Sequence, residues 1–421
     1  AVTGQDLPRI TTEVPGPRSR ALAERLAAVE CPEVTWQGPP APLFWESGRG
    51  ANLLDVDGNR FVDLGAGFGA AVLGYAHPRL AAALGAQAAE LQHAMGDVFP
   101  AAIKVRLLEA LARALPGGLG HAILSSSGSD AVESALKTAQ VATGKPGVVA
   151  FEGAYHGLGL GALDATWRGD FRRPFLARLA GQTRFVPWGD AEAARRAARA
   201  GDVGAILFEP IQGRAGLVFP PPGFVAELRR IADEVGALLV ADEVYTGLGR
   251  TGRWLACEHE GVTPDVVALG KALGGGFPIS ACVGRAEVMR RWPASHGEAL
   301  HTSTHLGNPL GCAAALAVLE TLDAESLVAR SESLGARWLE RLGKRVAGNP
   351  RVRELRGRGL LVALELDDAE FARAASGRAL RAGWVVLGEG PDLRTLALTP
   401  PLTIAEPLLE RAADELGEAL E

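Results

Sequence analysis

Short apolar runs alternate with helical patterns along the middle of the chain, from about residue 100 to residue 310. Five of these runs are brief and are bounded by glycine, proline or polar residues, which is typical of buried strands. They are HAILSSSG, PGVVAFEG, VGAILFEP, GALLVADE and DVVALGK. We therefore predict five buried strands in this part of the chain.

A helical pattern separates the first two of these runs. Between Asp130 and Thr143, apolar residues recur at helical spacing, Ser and Asp stand at the start, and Gly144 follows the last turn. Strands and helices in alternation predict an α/β fold, with a mostly parallel sheet covered by helices on both faces.

The two ends of the chain show a different pattern. After about residue 325 we predict a long Arg-rich helix, a strand at LLVALEL, a helix, two short strands and a closing helix. Near the other end, NLLDVDGNRFVDL predicts two strands around an Asp-Gly turn. We expect residues 1–75 to pack with a smaller α+β domain at 321–421, beside a large domain at 76–320.

Composition and charge narrow the function classes. The 421 residues are 48% hydrophobic and 22% charged, ordinary values for a globular protein, and the net charge of −6 does not favour nucleic acid as a partner. No apolar run is long enough for a membrane span or a secretory signal. The four cysteines are far apart, without CxxC pairs. We expect a cytoplasmic protein with reduced thiols and no structural metal.

Lysine is rare in this chain, and one lysine has an unusual position. Arginine supplies 38 of the 43 basic residues and lysine only five. Lys271 directly follows the apolar run DVVALG and precedes a glycine-rich turn. Desolvation lowers the pKa of a lysine and makes it a nucleophile suited to a carbonyl. A strand-end lysine that reaches solvent explains the local pattern equally well.

Polar residues follow the predicted strands, at the edge where open parallel sheets bind ligands. They are Ser127-Gly128-Ser129, Tyr155-His156-Gly157, Glu209, Asp242 and Lys271. A buried Asp242 needs a partner, and either a pyridinium N–H or an arginine fits that need. The SSSGSD segment enters a helix, whose N–H groups suit a phosphate.

One motif points to a different cofactor. Gly247 to Gly252 fit GxGxxG after a predicted strand, a pattern of nicotinamide oxidoreductases. No clean helix pattern follows, and no acidic residue ends a second strand about twenty residues on. We reject the dinucleotide site, which leaves an oxidoreductase disfavoured.

Together these residues resemble the class III aminotransferases, a fold-type-I group of pyridoxal-phosphate enzymes that includes 4-aminobutyrate, ornithine and acetylornithine aminotransferases. The similarity runs from about Leu43 to Glu406. The motifs that carry it are SSGSDAVESALKTA, AYHG, FEPIQG, ADEVYTGLGRTG, LGKALGGGFPISA and THLGNP. The resemblance implies pyridoxal 5'-phosphate as the cofactor.

The resemblance also implies roles for the matched residues. Lys271 matches the lysine that forms the Schiff base and moves the substrate proton, and Asp242 matches the partner of the pyridine nitrogen. Gly128 and Ser129 match the turn that binds the cofactor phosphate.

Three further matches concern the cofactor ring and the assembly. Tyr155 matches the aromatic residue that stacks on the ring, and Val244 matches the apolar contact on its other face. Thr304 matches the threonine that reaches the phosphate in the neighbouring subunit. The resemblance therefore implies a homodimer with two shared active sites.

The chain departs from the family pattern at three positions. Tyr245 stands where relatives usually have Gln, Arg214 where many have Glu, and Ala397 where many have an arginine for the substrate carboxylate. Arg214 can supply that guanidinium instead, or it can point to solvent. Arg394 is a second candidate, although a three-residue offset on a strand turns it to the opposite face. We expect substrate contacts from Arg214 and Glu209.

The predicted function is amino transfer from an omega-amino acid or amine to an oxo acid, 2-oxoglutarate or pyruvate, by a ping-pong mechanism. An aminomutase, a racemase and a decarboxylase of the same fold stay open, because all share the Lys271 chemistry. A non-catalytic relic is disfavoured, since Lys271, Asp242 and Ser129 are all intact.

Overall fold

The computed structural model of the protein describes residues 2–36 and 42–421. Residue 1 and residues 37–41, which belong to the predicted N-terminal segment 1–75, lie outside the described residues. The chain divides into a small unit, Ala1–His77 with Leu334–Glu421, and a large unit, Pro78–Ser333. The domain boundaries that the sequence predicts, between residues 75 and 76 and between residues 320 and 321, remain a prediction.

The strands and helices follow one another in chain order. The strands are β1 Trp45–Arg49, β2 Asn52–Asp55, β3 Arg60–Asp63, β4 Leu119–Ser125, β5 Gly147–Phe151, β6 Thr183–Val186, β7 Val203–Phe208, β8 Leu238–Asp242, β9 Val266–Leu269, β10 Ser280–Arg285, β11 Val352–Arg358, β12 Leu361–Leu366, β13 Trp384–Val385, β14 Leu387–Glu389 and β15 Thr395–Leu398.

The helices are α1 Pro17–Ala27, α2 Ala66–Gly69, α3 Pro78–Glu90, α4 Ala102–Ala114, α5 Gly128–Thr143, α6 Leu160–Asp164, α7 Gly169–Arg172, α8 Ala191–Ala198, α9 Phe224–Val235, α10 Ala286–Met289, α11 Pro309–Ala324, α12 Leu327–Val346, α13 Ala369–Arg381 and α14 Glu406–Ala419. Short 3-10 helices occur at Arg173–Arg178, Ala256–Glu260 and Lys271–Gly274.

A seven-stranded sheet forms the centre of the large unit, in the order β4-β10-β9-β8-β7-β5-β6. The neighbours from β9 to β6 are parallel, whereas β10 runs antiparallel to both β9 and β4. The five strands predicted from the apolar runs are all present, and the prediction of a mostly parallel α/β sheet is confirmed. Strands β6 and β10 were not predicted.

Helix α5 packs on this sheet and begins at the predicted phosphate turn, which follows β4. Its small apolar face, which includes Ala131 and Ala135, joins the core with Val240 and Ala268 of the central strands. The Ser127 hydroxyl oxygen accepts a hydrogen bond from the Asp130 backbone N–H at 3.2 Å and so caps the helix. The predicted helix is confirmed and begins two residues earlier.

The small unit contains two four-stranded sheets, in the orders β1-β2-β3-β13 and β11-β12-β15-β14. The predicted hairpin is confirmed as β2 and β3, with Gly58 at φ 89° in the turn between them. Strand β13 runs parallel to β3, with Trp384 opposite Val62. The α+β pattern of the C-terminal region is confirmed, although β11 was not predicted and three short strands, β13, β14 and β15, stand where two were predicted.

No helix in residues 2–36 and 42–421 is both long and apolar enough to cross a membrane. The GxGxxG segment from Gly247 to Gly252 lies in turns after β8, and the next helical element is the 3-10 helix Ala256–Glu260. Because no α-helix begins at these glycines, the segment lacks the helix N-terminus of a dinucleotide site.

Candidate active site

The predicted site residues lie at one edge of the seven-stranded sheet. Asp242 ends β8, Lys271 follows β9, Glu209 follows β7, and Tyr155 follows β5. These four strands are parallel neighbours in the sheet, so their carboxyl ends meet at the same edge. The fold therefore collects residues that are far apart in the sequence.

Asp242 is buried and pairs with a histidine. Its Oδ2 lies 2.8 Å from Nδ1 of His156, and its Oδ1 accepts a hydrogen bond from the Val244 backbone N–H at 3.1 Å. The sequence suggested a pyridinium or an arginine as partner and assigned no role to His156. The signal that pointed to this histidine was its position in the AYHG motif after β5.

The start of α5 presents donors for an anion. The backbone N–H groups of Gly128 and Ser129 lie in its first turn, where no preceding helical carbonyl can accept them. Ser129 Oγ accepts a hydrogen bond from the Gly159 backbone N–H at 2.9 Å, which leaves its own O–H free to donate. A Cβ on Gly128 would come within 2.8 Å of Val244 Cγ1, so glycine is required there.

Lys271 begins a 3-10 helix in an unusual backbone conformation. Its φ is 29°, a strained value for a residue with a side chain. Its Nζ lies 4.5 Å from the centroid of the Tyr245 ring, so the ammonium group is directed over an aromatic face. The preceding Gly270 packs against Val244 and Gly128, since a Cβ there would approach both within 3.4 Å. Val244 thus lies between the phosphate turn and the end of β9.

Tyr155 and Arg214 meet beside Glu209. The Arg214 guanidinium carbon lies 5.8 Å from the Tyr155 ring centroid, and the Phe171 ring packs edge-on against the same tyrosine at 5.6 Å. Burial raises the pKa of the Tyr155 hydroxyl, although the positive charge of Arg214 opposes the rise.

Both carboxylate oxygens of Glu209 accept backbone hydrogen bonds, from Tyr155 at 3.0 Å and from Gly213 at 3.1 Å. Burial raises the pKa of Glu209 to about 7. The negative charge of Asp242 adds to this rise, and His156 opposes it.

Comparison with known proteins decides the family. A family model described as aminotransferase class-III matches residues 35–420. Acetylornithine aminotransferase of Methanopyrus kandleri is 41% identical over 384 residues, which are 90% of this chain and 94% of that protein. The chain belongs to the class III aminotransferases.

Further similar proteins agree with this placement. Acetylornithine aminotransferase of Methanosarcina acetivorans is 37% identical over 90% of this chain and 92% of its own length. The ornithine aminotransferase of Toxoplasma gondii ME49 has a TM-score of 0.88, with 30% identity over 96% of this chain and 94% of that chain. A transaminase from a Virgibacillus species has a TM-score of 0.89 at 25% identity, over 95% and 98% of the two chains.

This class III aminotransferase is a pyridoxal-phosphate-dependent enzyme of fold type I, which takes an amino donor and an oxo-acid acceptor. The groups at the strand edge fit that cofactor. The α5 turn offers donors for a phosphate, and Asp242 keeps lone pairs for a pyridinium N–H beyond its contacts with His156 and Val244. His156 Nε2 is buried without a hydrogen-bond partner among the described residues.

The remaining predicted residues are Thr304 in the large unit and Ala397 and Arg394 in the small unit. Thr304 is exposed in the turn before α11, and within residues 2–36 and 42–421 no hydrogen bond joins it to the other predicted residues. Ala397 is buried in β15 of the small unit, paired with Ala363 of β12. The Arg394 guanidinium lies 3.5 Å from a carboxylate oxygen of Glu365, which gives it an ionic partner in the same unit.

Proposed function

We propose that this aminotransferase moves the amino group of an omega-amino acid or amine to 2-oxoglutarate or pyruvate by a ping-pong mechanism. The observation that carries the proposal is the meeting of Lys271, the Asp242–His156 pair and the α5 phosphate turn at one strand edge. The relatives include proteins named acetylornithine aminotransferase and ornithine aminotransferase, and the compounds in both names carry a side-chain amino group.

The proposed roles follow the chemistry of each side chain. Bound pyridoxal phosphate supplies a conjugated ring that accepts the electrons released at the substrate carbon. Lys271 would hold the cofactor through Nζ, and its amine would serve as the base that removes and returns the substrate Cα proton. Asp242, in contact with His156, would pair with the protonated pyridine nitrogen.

The remaining cofactor contacts are proposed for residues around the ring. Gly128 and Ser129 bind the phosphate through their N–H groups and the Ser129 hydroxyl. Tyr155 would pack on one face of the ring and Val244 would contact the other. Thr304 binds the phosphate in a second subunit, and its exposure on the surface supports this role.

A homodimer is the proposed assembly, with the segment around Thr304 in the interface. Val98, Phe99 and Leu300 are 61%, 69% and 68% exposed, an apolar surface of the kind that subunits cover. The Thr302 hydroxyl donates a hydrogen bond to Asp97 at 2.8 Å and joins the two segments that carry these residues. Sedimentation velocity tests the assembly: Phe99→Asp should shift the dimer toward monomer, whereas a wild-type monomer would contradict it.

Arg214 is the proposed carboxylate-binding residue. Its guanidinium carbon lies 5.8 Å from the Tyr155 ring centroid, and arginine suits a carboxylate by its paired donors. Arg214→Ala should raise the KM of donors and acceptors that carry a carboxylate. An unchanged KM would show that Arg214 does not bind the carboxylate and that its side chain points to solvent.

The decisive experiment uses the purified protein with its cofactor. Borohydride should fix the cofactor to the peptide that contains Lys271, and Lys271→Ala should abolish both this product and turnover. Lys137→Ala, at an exposed lysine of α5, is the control. Amines and omega-amino acids assayed against pyruvate and 2-oxoglutarate identify the donor. Turnover without stoichiometric consumption of the oxo acid would favour an aminomutase, racemase or decarboxylase. A colourless protein that binds nicotinamide would overturn the proposal.

A cytoplasmic location is proposed from the thiols. All four cysteines are free in the structure, and three of them are buried. Cell fractionation with an antibody to the protein tests this location.

A further inference from the structure

One buried carboxylate joins two loops that carry proposed site residues. Glu209 Oε2 accepts a hydrogen bond from the Tyr155 backbone N–H at 3.0 Å, and its Oε1 accepts one from the Gly213 backbone N–H at 3.1 Å. Tyr155 lies in the loop after β5, and Gly213 directly precedes Arg214 in the loop after β7. Because both donors belong to the backbone, Glu209 holds the course of the two main chains.

We infer that Glu209 is a positioning residue, whose carboxylate ties the Arg214 turn to the Tyr155 loop and so places the guanidinium for a substrate carboxylate. The inference rests on the carboxylate-binding role proposed for Arg214. It differs from the substrate contact that the sequence suggested for Glu209, since here the residue acts through the backbone of its neighbours.

The Arg214 turn, residues 212–218, is closed at its two ends by a pair of backbone hydrogen bonds. The backbone N–H of Gln212 donates to the Val218 carbonyl at 3.0 Å, and the reverse hydrogen bond also measures 3.0 Å. The Gln212 side-chain amide donates to the Glu152 carbonyl at 2.9 Å, which links the base of the turn to the end of β5. The hydrogen bond from Gly213 therefore connects the Glu209 carboxylate to the part of the turn that carries Arg214.

The opposite side of the turn is also filled. A Cβ on Gly213 would come within 2.6 Å of Cδ1 of Tyr245, so only a hydrogen fits between them. The Tyr245 ring in turn lies 4.5 Å below Nζ of Lys271. The turn is thus held between the Glu209 carboxylate and the Tyr245 ring, and this contact gives the unusual Tyr245 a defined packing role.

The positioning role and a direct substrate contact predict opposite effects of Glu209→Gln on the affinity for a substrate carboxylate. If the Glu209 carboxylate touched a substrate carboxylate, the two negative charges would repel, and Glu209→Gln would tighten binding. If Glu209 positions the turn, Glu209→Gln weakens binding, because the amide nitrogen cannot accept the second backbone N–H.

Calorimetric binding of glutarate, an unreactive dicarboxylate, to the cofactor-loaded enzyme separates the two cases without relying on turnover. We expect Glu209→Gln to raise the glutarate Kd about tenfold, the effect of one backbone donor left without its charged acceptor. Glu152→Gln makes the same chemical change at an exposed glutamate of the neighbouring loop, and it should leave the Kd within about twofold of wild type.

Two more variants keep the test decisive. Gly213→Ala leaves Glu209 intact but displaces the turn, and it should weaken glutarate binding as well; circular dichroism and Tm verify that each variant folds. A wild-type Kd in Glu209→Gln or Gly213→Ala, or tighter binding in Glu209→Gln, overturns the positioning role. If Arg214→Ala weakens binding while Glu209→Gln does not, only the positioning role fails. If Arg214→Ala binds glutarate as wild type does, the carboxylate-binding role of Arg214 and the positioning role of Glu209 both fail.

Discussion

Asp242 and Glu209 are two buried carboxylates at the ends of neighbouring strands, yet their surroundings differ. Asp242, 5% exposed, faces the imidazole of His156, whereas Glu209, 6% exposed, takes its hydrogen bonds from two backbone N–H groups. Burial raises the pKa of Glu209 to about 7. Two buried carboxylates at one strand edge can therefore serve different partners: Asp242 contacts an imidazole, and Glu209 binds the main chain of two loops.

The largest expected effect is the loss of the Asp242 charge. Asp242→Asn removes the negative charge that we propose keeps the pyridine nitrogen protonated, and kcat for amino transfer should fall about a thousandfold. Asp202→Asn, at a half-buried aspartate paired with Arg184, is the matched control and should keep kcat near wild type. A loss of kcat below about tenfold in Asp242→Asn would show that the charge of Asp242 has no large role in catalysis.

Removing the imidazole tests the Asp242 pair by stability. His156→Ala leaves a buried carboxylate without its side-chain partner, and the free energy of unfolding should fall by about 3 kcal/mol in urea titrations. His121→Ala, at an exposed histidine of β4, should change it by less than about 0.5 kcal/mol. Equal effects of the two substitutions would mean that the pair contributes nothing specific.

The pH dependence of stability tests Glu209. Its pKa in the folded protein lies above its ordinary value of 4.5, so its stabilising contribution is complete below about pH 4.5 and is lost as pH rises through about 7. The free energy of unfolding of wild type, relative to Glu209→Gln, should therefore fall by about 2 kcal/mol between about pH 5.5 and about pH 7.5.

The reason is that the Glu209→Gln variant has nothing to titrate at this position, while the groups that face Glu209, His156 and Asp242, are the same in both proteins. Urea unfolding at several pH values measures the difference. A difference that stays constant across this range would show that Glu209 titrates as an ordinary exposed glutamate.

The smallest effect concerns the phosphate turn, which depends on neither carboxylate. Ser127→Ala removes the cap on α5 and should cost about 1 kcal/mol of stability, together with a weaker affinity for the cofactor. Asp190→Ala removes the equivalent cap on α8, where the carboxylate accepts from Ala193, and it should cost a similar amount but leave cofactor affinity unchanged. If both variants lose cofactor affinity equally, the α5 cap has no special link to the phosphate.

Much of the fold could be predicted because its signals are local. Each of the five predicted strands is an apolar run bounded by breakers, and α5 carries its own start and stop residues. Strand β10 was not predicted because only the 3-10 helix Lys271–Gly274 and a glycine-rich turn, and no α-helix, separate it from β9, which breaks the alternating pattern of strands and helices. Its antiparallel direction follows from that short connection and from pairing with β9 and β4.

The sequence by itself determined the fold class, the family and the residue types at the strand ends, because motifs of this kind are read from neighbouring residues. Only the tertiary structure decided their partners. His156 meets Asp242 across 86 positions, and Tyr155 meets Glu209 across 54. Such partners depend on which strands become neighbours in the sheet, and strand order is set by packing of the whole large unit, which no short stretch of sequence contains.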